Sequence, residues 1–223
     1  LIERIEVYSD IGICLMIKVA ILVDILYKFT AGSERQIFEL CKNIDRKKYQ
    51  IYVFCLLGHQ NVLDRLKQFD ANVIRLDVRR IYGFQGLRSG INFARMLRRE
   101  KIDILMTYHF GSDIWGAIFG RMSGIPIIIS NRRDMGFWQK SIHRIIYRTI
   151  DRCINKIIVV SRGVQDAVIS HQNIKSEKIK VIYNGIDLKR FLSTEVNINI
   201  RESINIPQSS KIISCVGNFR PIK

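Results

Sequence analysis

Pro126-Ile-Ile-Ile-Ser130 and Lys156-Ile-Ile-Val-Val160, separated by a helical pattern from Trp138 to Cys153, decide the fold of this chain. Both runs are continuously apolar and rich in β-branched residues. A strand with one wet face would alternate, whereas a continuous run belongs to a strand buried on both faces. Strand, amphipathic helix and strand in succession form one βαβ unit, whose two strands lie parallel.

The same unit repeats outward in both directions. Upstream, Lys18-Val-Ala-Ile-Leu-Val23, Ile51-Tyr-Val-Phe-Cys-Leu-Leu57, Asn72-Val-Ile-Arg-Leu76 and Asp103-Ile-Leu-Met-Thr107 read as strands. Helical patterns follow them over 33–44, over 62–69, up to Glu100 and over 112–123. Downstream, 162–171 reads as a helix and Lys178-Ile-Lys-Val-Ile-Tyr183 as a seventh strand. The expected fold class is α/β, a Rossmann-like doubly wound parallel sheet over residues 16–190. In such sheets ligands sit outside the carboxyl ends of the strands, so the loops after strands are the places to search. Residues 1–15 precede the first strand pattern and are expected to be extraneous, with Met16 as the start. Residues 191–209 read as a linker. Lys211-Ile-Ile-Ser-Cys-Val216-Gly217 reads as the first strand and turn of a second domain that 210–223 only begin, so the chain is expected to be a fragment.

The 36 Lys and Arg outnumber the 20 Asp and Glu, giving a net charge of +16. With 48% apolar residues and only 3 Pro, disordered and collagen-like classes are excluded. The charge predicts an anionic partner: a nucleic acid, a membrane surface or a phosphorylated ligand. Five cysteines lie in apolar stretches with no CxxC spacing, and four histidines are scattered. These read as small buried hydrophobes in a reducing, cytoplasmic compartment rather than as a zinc site, and no metal ligand set is assigned. The apolar stretch 11–26 carries Lys18 and Asp24 and is too short and charged to span a bilayer.

Each post-strand loop carries a candidate. In Thr30-Ala-Gly-Ser-Glu-Arg-Gln36, Gly32 permits close backbone approach and Ser33 can cap the following helix, where free N–H groups favour an anion. Thr107-Tyr-His-Phe-Gly-Ser-Asp113 places Tyr108 and His109 at a strand end, where a histidine can hold a sugar hydroxyl or take its proton. Ser130-Asn-Arg-Arg-Asp-Met-Gly136 offers Arg132 and Arg133 for phosphate or carboxylate, unless Asp134 pairs with one of them. Ser161 reads as an N-cap and Asn184-Gly185 as a turn. Gly217-Asn-Phe-Arg-Pro-Ile-Lys223 sets Arg220 and Lys223 in a strand-to-helix turn where they could grip a diphosphate.

Taken together, the order and spacing of these loops resemble the amino-terminal half of family 4 glycosyltransferases, which have the two-domain GT-B fold. Ala31-Gly-Ser-Glu-Arg-Gln36 is similar to that family's Gly-Gly-x-Glu-Arg-Gln loop, with Ala31 for the first Gly. Asp103-Ile-Leu-Met-Thr-Tyr-His109 resembles its Asp-Ile-Val-His-x-His strand end. Lys178-Ile-Lys-Val-Ile-Tyr-Asn-Gly-Ile-Asp187 with Arg190-Phe191, and Val216-Gly-Asn-Phe-Arg-Pro-Ile-Lys223, resemble its two best-defined signatures. The resemblance implies a metal-independent glycosyltransferase that needs no cofactor. It would move a sugar from a nucleotide-sugar donor to a glycan or lipid-linked acceptor, in polysaccharide or glycolipid biosynthesis. The implied catalytic residues are Tyr108 and His109. Gly32, Ser33, Arg132, Arg133, Ser161, Asn184, Arg220 and Lys223 are the implied ligand contacts. The full-length parent is expected to turn over a nucleotide sugar and the 223-residue chain alone is not.

The positive charge is concentrated in two stretches. Residues 79–101 hold seven basic residues against one acidic, and 132–156 hold seven against two. In the second, Lys140, Arg144, Arg148, Arg152 and Lys156 recur every fourth residue. Trp138, Ile142, Ile145, Ile146, Ile150, Cys153 and Ile154 form an apolar stripe beside them. Two readings stand: a helix packed on the sheet with a solvated basic face, or a basic face on an anionic membrane, which would make the protein peripheral at the inner face of the plasma membrane. The resemblance favours the membrane. The alternative function is a basic nucleic-acid-binding protein without enzymatic activity. Against it, no helix-turn-helix, zinc-finger or RNP pattern is present and aromatics do not interleave the basic residues. A nicotinamide dehydrogenase is excluded because no GxGxxG follows the first strand.

Overall fold

Ile17–Leu26 (β1) forms the middle of the sheet because it can bury both of its faces. Ile17, Val19, Ile21 and Val23 point to one side, and Ala20 and Leu22 to the other. The computed structural model describes residues 16–29, 32–186, 188, 200–207 and 209–214. Six further strands are Tyr49–Gly58 (β2), Asn72–Arg75 (β3), Ile104–Tyr108 (β4), Ile127–Arg132 (β5), Lys156–Val159 (β6) and Ile179–Val181 (β7). They pair in the order β3-β2-β1-β4-β5-β6-β7, and every pairing is parallel. The order reverses between β1 and β4, where Val23 stands beside Tyr108.

Helices cover both faces, as the continuous apolar runs require. Gly32–Asn43 (α1) and Gln60–Lys67 (α2) put Ile37, Cys41, Val62, Leu63 and Leu66 on the face of Val19 and Ile21. On the other face Gly83–Arg99 (α3) contributes Phe93, Ala94 and Leu97, and Arg162–Gln172 (α6) contributes Val164 and Val168. Cys41 and Cys55 are buried free thiols whose burial pushes them up to about 11 and about 12, and Cys153 is half-buried. Cys14 and Cys215 lie outside the described residues.

Two expected helices take a different course. The pattern over 112–123 predicts one helix, but Phe110–Trp115 (α4) continues as a π-helical turn, Gly116–Gly120. Its glycines lie flat on β4. A Cβ on Gly116 would collide with the Thr107 methyl, and one on Gly120 would come within 2.8 Å of Leu105. Gly90 of α3 likewise lies against the Phe119 ring. The pattern from Trp138 to Cys153 condenses to Ser141–Ile150 (α5). Asp134 holds the preceding loop by accepting from the Gly136 N–H at 2.7 Å and the Trp138 indole at 3.1 Å. At the other end the chain tightens into a 3-10 turn, Asp151–Cys153, as Asp151 turns inward.

Residues 1–184 form one compact unit and 185–223 a second. The second contains a short helix, Ile200–Ser203 (α7). The Arg201 guanidinium donates to the Pro207 carbonyl at 2.9 Å and the Ser210 carbonyl at 3.0 Å. Lys211–Ser214 carry no regular secondary structure, and the rest of the expected strand and turn lies outside the described residues.

Gly90→Ala should lower stability by about 1–3 kcal/mol through its clash with Phe119. Gly32→Ala, whose Cβ would meet nothing within 4 Å, should stay within about 0.5 kcal/mol of the wild type. Urea unfolding midpoints compare the two.

Candidate functional site

A cleft of about 270 Å³ opens at the carboxyl ends of β1, β4 and β5, beside the point where the strand order reverses. Its floor is a buried polar cluster. Asp113, which is 1% exposed, accepts from Thr107 Oγ1 at 2.5 Å and Ser130 Oγ at 2.6 Å. The Arg132 guanidinium lies 3.5 Å from Asp113, donates to Ser130 Oγ at 2.7 Å and to Asp151 at 2.6 Å, and sits 3.7 Å from the centre of the Tyr147 ring. Burial works against the charge on Arg132, but Asp113, Tyr147 and Asp151 outweigh it, and the guanidinium binds its proton more tightly than usual. Burial also pushes the Asp151 carboxyl up to about 6, although Arg132 opposes this.

One wall comes from the β1 and β4 ends. Asp24 reaches across to the start of α4, accepting from the Gly111 N–H at 3.0 Å and the Ser112 N–H at 2.5 Å. Burial raises its pKa, against the pull of His109 and of these two N–H groups. A Cβ on Gly111 would lie 2.8 Å from this carboxylate, so the approach requires glycine. His109 also lines the cleft, and it holds φ at +78°. A non-glycine residue there is strained, and such strain gathers where a side chain must be aimed at a ligand.

The opposite wall is the loop after β5. Arg133 lines it with Asn131, Asp134, Met135 and Trp138. The Arg133 guanidinium donates to Asn184 Oδ1 at 2.6 Å, and burial weakens its hold on its proton. Because Asp134 is engaged with Gly136 and Trp138, neither arginine depends on it. The α6 face, with Val168, His171 and Gln172, completes the enclosure.

The candidates from the sequence therefore separate. His109 and Arg133 line the cleft, and Asn184 is tied to Arg133. Arg132 is present but lies in the floor, 5% exposed and paired with two carboxylates, where it serves as a structural cation rather than an open anion contact. Tyr108 points to the other face of the sheet among Ile37 and Cys41, and burial pushes its hydroxyl up to about 12. Ser161 caps α6 by accepting from the Val164 N–H at 3.2 Å. Gly32 and Ser33 open α1 and are not among the cleft-lining residues. Arg220 and Lys223 lie outside the described residues. Sequence reading missed Asp24, Asp113, Tyr147 and Asp151. For Asp24 a signal existed: a lone carboxylate late in an otherwise apolar strand. Glu34 was also missed. It is buried at the head of α1 and accepts from the Tyr27 N–H at 2.6 Å. Among the described residues no cluster of His, Cys, Asp or Glu could hold a metal ion.

A parallel sheet in this order, with a polar cleft at its reversal point, is the Rossmann-like half of a GT-B fold. The chain belongs to the glycosyltransferase family described as Glycosyltransferase Family 4, whose profile matches residues 30–190. It is 26% identical over 153 residues to the UDP-Gal:alpha-D-GlcNAc-diphosphoundecaprenol alpha-1,3-galactosyltransferase of Escherichia coli, covering 65% of this chain and 39% of that protein. It is 40% identical over 132 residues to an uncharacterized glycosyltransferase of Methanocaldococcus jannaschii, covering 54% of this chain and 33% of that one. Among solved structures, Anabaena HepE in complex with UDP and glucose superposes with a TM-score of 0.65 at 17% identity, over 85% of this chain and 50% of that one. Sucrose-phosphate synthase from Thermosynechococcus elongatus does so with a TM-score of 0.59 at 15% identity, over 86% and 53%. The chain thus spans 39% or less of these curated relatives and about half of these solved chains.

Arg132→Ala strands Asp113 and Asp151 and should cost about 3–5 kcal/mol in chemical denaturation. The Asp151 carboxyl is raised from 3.8 to about 6 on folding, so its contribution to stability is present at low pH and lost as pH rises through about 6. Asp151→Asn cannot titrate. The difference in melting temperature, variant minus wild type, should therefore climb between about pH 4 and about pH 6.5. Thermal melts at constant ionic strength read this slope, and a flat difference would contradict it.

Proposed function

We propose that this chain forms the acceptor-side half of a glycosyltransferase that moves a sugar from a nucleotide-sugar donor to a glycan or lipid-linked hydroxyl. The observation that carries this is His109, strained and facing the cleft at the strand-order reversal of a family 4 chain. His109 holds the acceptor hydroxyl and takes up its proton as the new bond forms. Asp24 stands beside it, and the pull of His109 on the Asp24 carboxyl supports that pairing. Arg133, held by Asn184, offers a cation to a phosphate on the acceptor or to the leaving diphosphate. Tyr108 has no part in this reading, because its hydroxyl lies in the core. The relative from Escherichia coli is named for a diphosphoundecaprenol-linked acceptor, which supports a lipid-linked substrate here. In this reading residues 16–190 are the acceptor-side domain and the chain beyond leads to the donor-binding side. The nucleic-acid alternative finds no support among these relatives.

A lipid-linked acceptor calls for approach to a membrane. No described helix is long and apolar enough to cross one. The apolar stripe over 138–154 divides: Ile150 and Ile154 are buried, while Trp138, Ile142 and Ile145 are exposed, the latter two at 55% each. Phe137, at 72%, precedes Trp138, and Lys140 follows two residues after it. Exposed apolar side chains flanked by cations at the mouth of the cleft suit a peripheral contact with an anionic membrane.

In the protein that carries these residues with its donor-binding side, His109→Ala should lower kcat by roughly 10²–10⁴-fold in a sugar-transfer assay, with the fold retained by circular dichroism. Unchanged kcat would remove His109 from the mechanism. Lys140→Glu with Arg144→Glu should weaken co-sedimentation with anionic vesicles by roughly tenfold or more. Equal binding to neutral vesicles would defeat the membrane contact.

A further inference from the structure

Next to the cleft, with Gln172 lining both, lies a second concavity, of about 570 Å³. Its walls are the amino-terminal ends of β6 and β7, where Lys156 opens one strand and Lys178 precedes the other, together with the tail of α5 and the end of α6. Five cations line it: Arg148, Arg152, Lys156, Lys175 and Lys178. Two carboxylates oppose them. Asp151 already serves Arg132 at 2.6 Å, and Glu177 is exposed at the rim.

Three of the cations are held in place by the backbone. Lys178 donates to the Asp151 carbonyl, Lys156 to the Glu177 carbonyl at 2.9 Å, and Arg148 to the His171 carbonyl at 3.4 Å. An ammonium has three N–H donors and a guanidinium five, so one carbonyl apiece leaves donors for something else. Burial, outweighing the attraction of Asp151, makes Lys178 release its proton more readily than usual. Arg152 and Lys175 complete the ring, and their side chains carry no hydrogen bond to protein among the described residues. Positive charge gathered in a concavity, on side chains set by the backbone, is suited to an oxyanion with more than one charge.

We propose that this groove, none of whose five cations lines the cleft, is a second anion site, which takes a phosphate-bearing ligand. The phosphate would sit between Arg152, Lys175 and Lys178, with Arg148 and Lys156 closing over it. The site owes nothing to the glycosyltransferase chemistry and stands or falls apart from it. Two sources carry the same chemistry, a phospholipid headgroup and a free phosphorylated small molecule. The groove shares Arg148 with the basic side of α5, so either is within its reach.

The test uses the full chain and two double variants. Arg152→Glu with Lys175→Glu alters the groove without touching the three backbone-anchored cations. Lys140→Glu with Arg144→Glu changes charge equally outside it. Inorganic phosphate, titrated against sodium chloride at equal ionic strength, should raise the melting temperature of the wild type and of the second variant. For the first variant the half-saturating phosphate concentration should rise roughly tenfold or more. Vesicles of phosphatidylcholine with and without phosphatidic acid separate the sources. If the groove variant loses binding to the acidic vesicles, the ligand is a lipid headgroup. If it keeps that binding while losing the phosphate response, the ligand is a free phosphorylated molecule. A phosphate response equal in wild type and groove variant, or absent from the wild type, overturns the proposal.

Discussion

A single buried guanidinium organises the working end of this molecule. Arg132 leaves the end of β5 and is shared between Asp113 of α4 and Asp151 just after α5. Three segments far apart in the chain are drawn together by that one charge. Removing ions from water is costly, and the cost is met only if every partner is supplied. Ser130, Thr107 and Tyr147 supply most of them, Tyr147 by lending both its hydroxyl and its ring, while Arg132 Nη1 and Asp151 Oδ2 are buried with no hydrogen-bond partner among the described residues. The cleft above therefore has a rigid polar floor, and the loop carrying Arg133 starts from a fixed point.

This explains why a pair of adjacent arginines divides its labour. Along β5 successive side chains alternate, and Arg132 is the last residue of that strand. It turns inward to the ion cluster, while Arg133 begins the loop and meets Asn184. Tyr108 and His109 divide in the same way at the end of β4. Tyr108 keeps the strand geometry and is delivered to the core, and His109 breaks it at φ +78° and faces the cleft. In both pairs, the residue that leaves the strand geometry is the one able to meet a ligand.

The sheet was legible in the sequence because its cause is local. Continuous β-branched runs such as 126–130 and 156–160 have few alternatives to a strand buried on both faces. The lining of the candidate site was legible only where a residue type stands out at a strand end, as His109 and Arg133 do. Which member of each arginine or aromatic pair would face the ligand depends on where β4 and β5 stop, and a difference of one residue decides it. The partners of Arg132 were illegible for another reason: Asp113 and Asp151 lie 19 and 19 positions away on separate helical segments, and no periodicity links them to it. The π-helical turn at Gly116–Gly120 was read as plain helix, because glycine spacing does not reveal what the glycines will lie against.

The strand lengths carry a consequence of a different kind. β1 and β2, ten residues each, lie inside the sheet, while the strands at its two ends are β3 with four residues and β7 with three. An unpaired strand edge is a template on which another chain can add, and its danger grows with its length. Here the segments most prone to self-association are enclosed by neighbours on either side. The margins offer a newcomer only a few backbone groups, and one margin carries Lys180 at its middle. A chain of this apolar content thus guards itself against fibrillar growth through the placement of its shortest strands as much as through its charge.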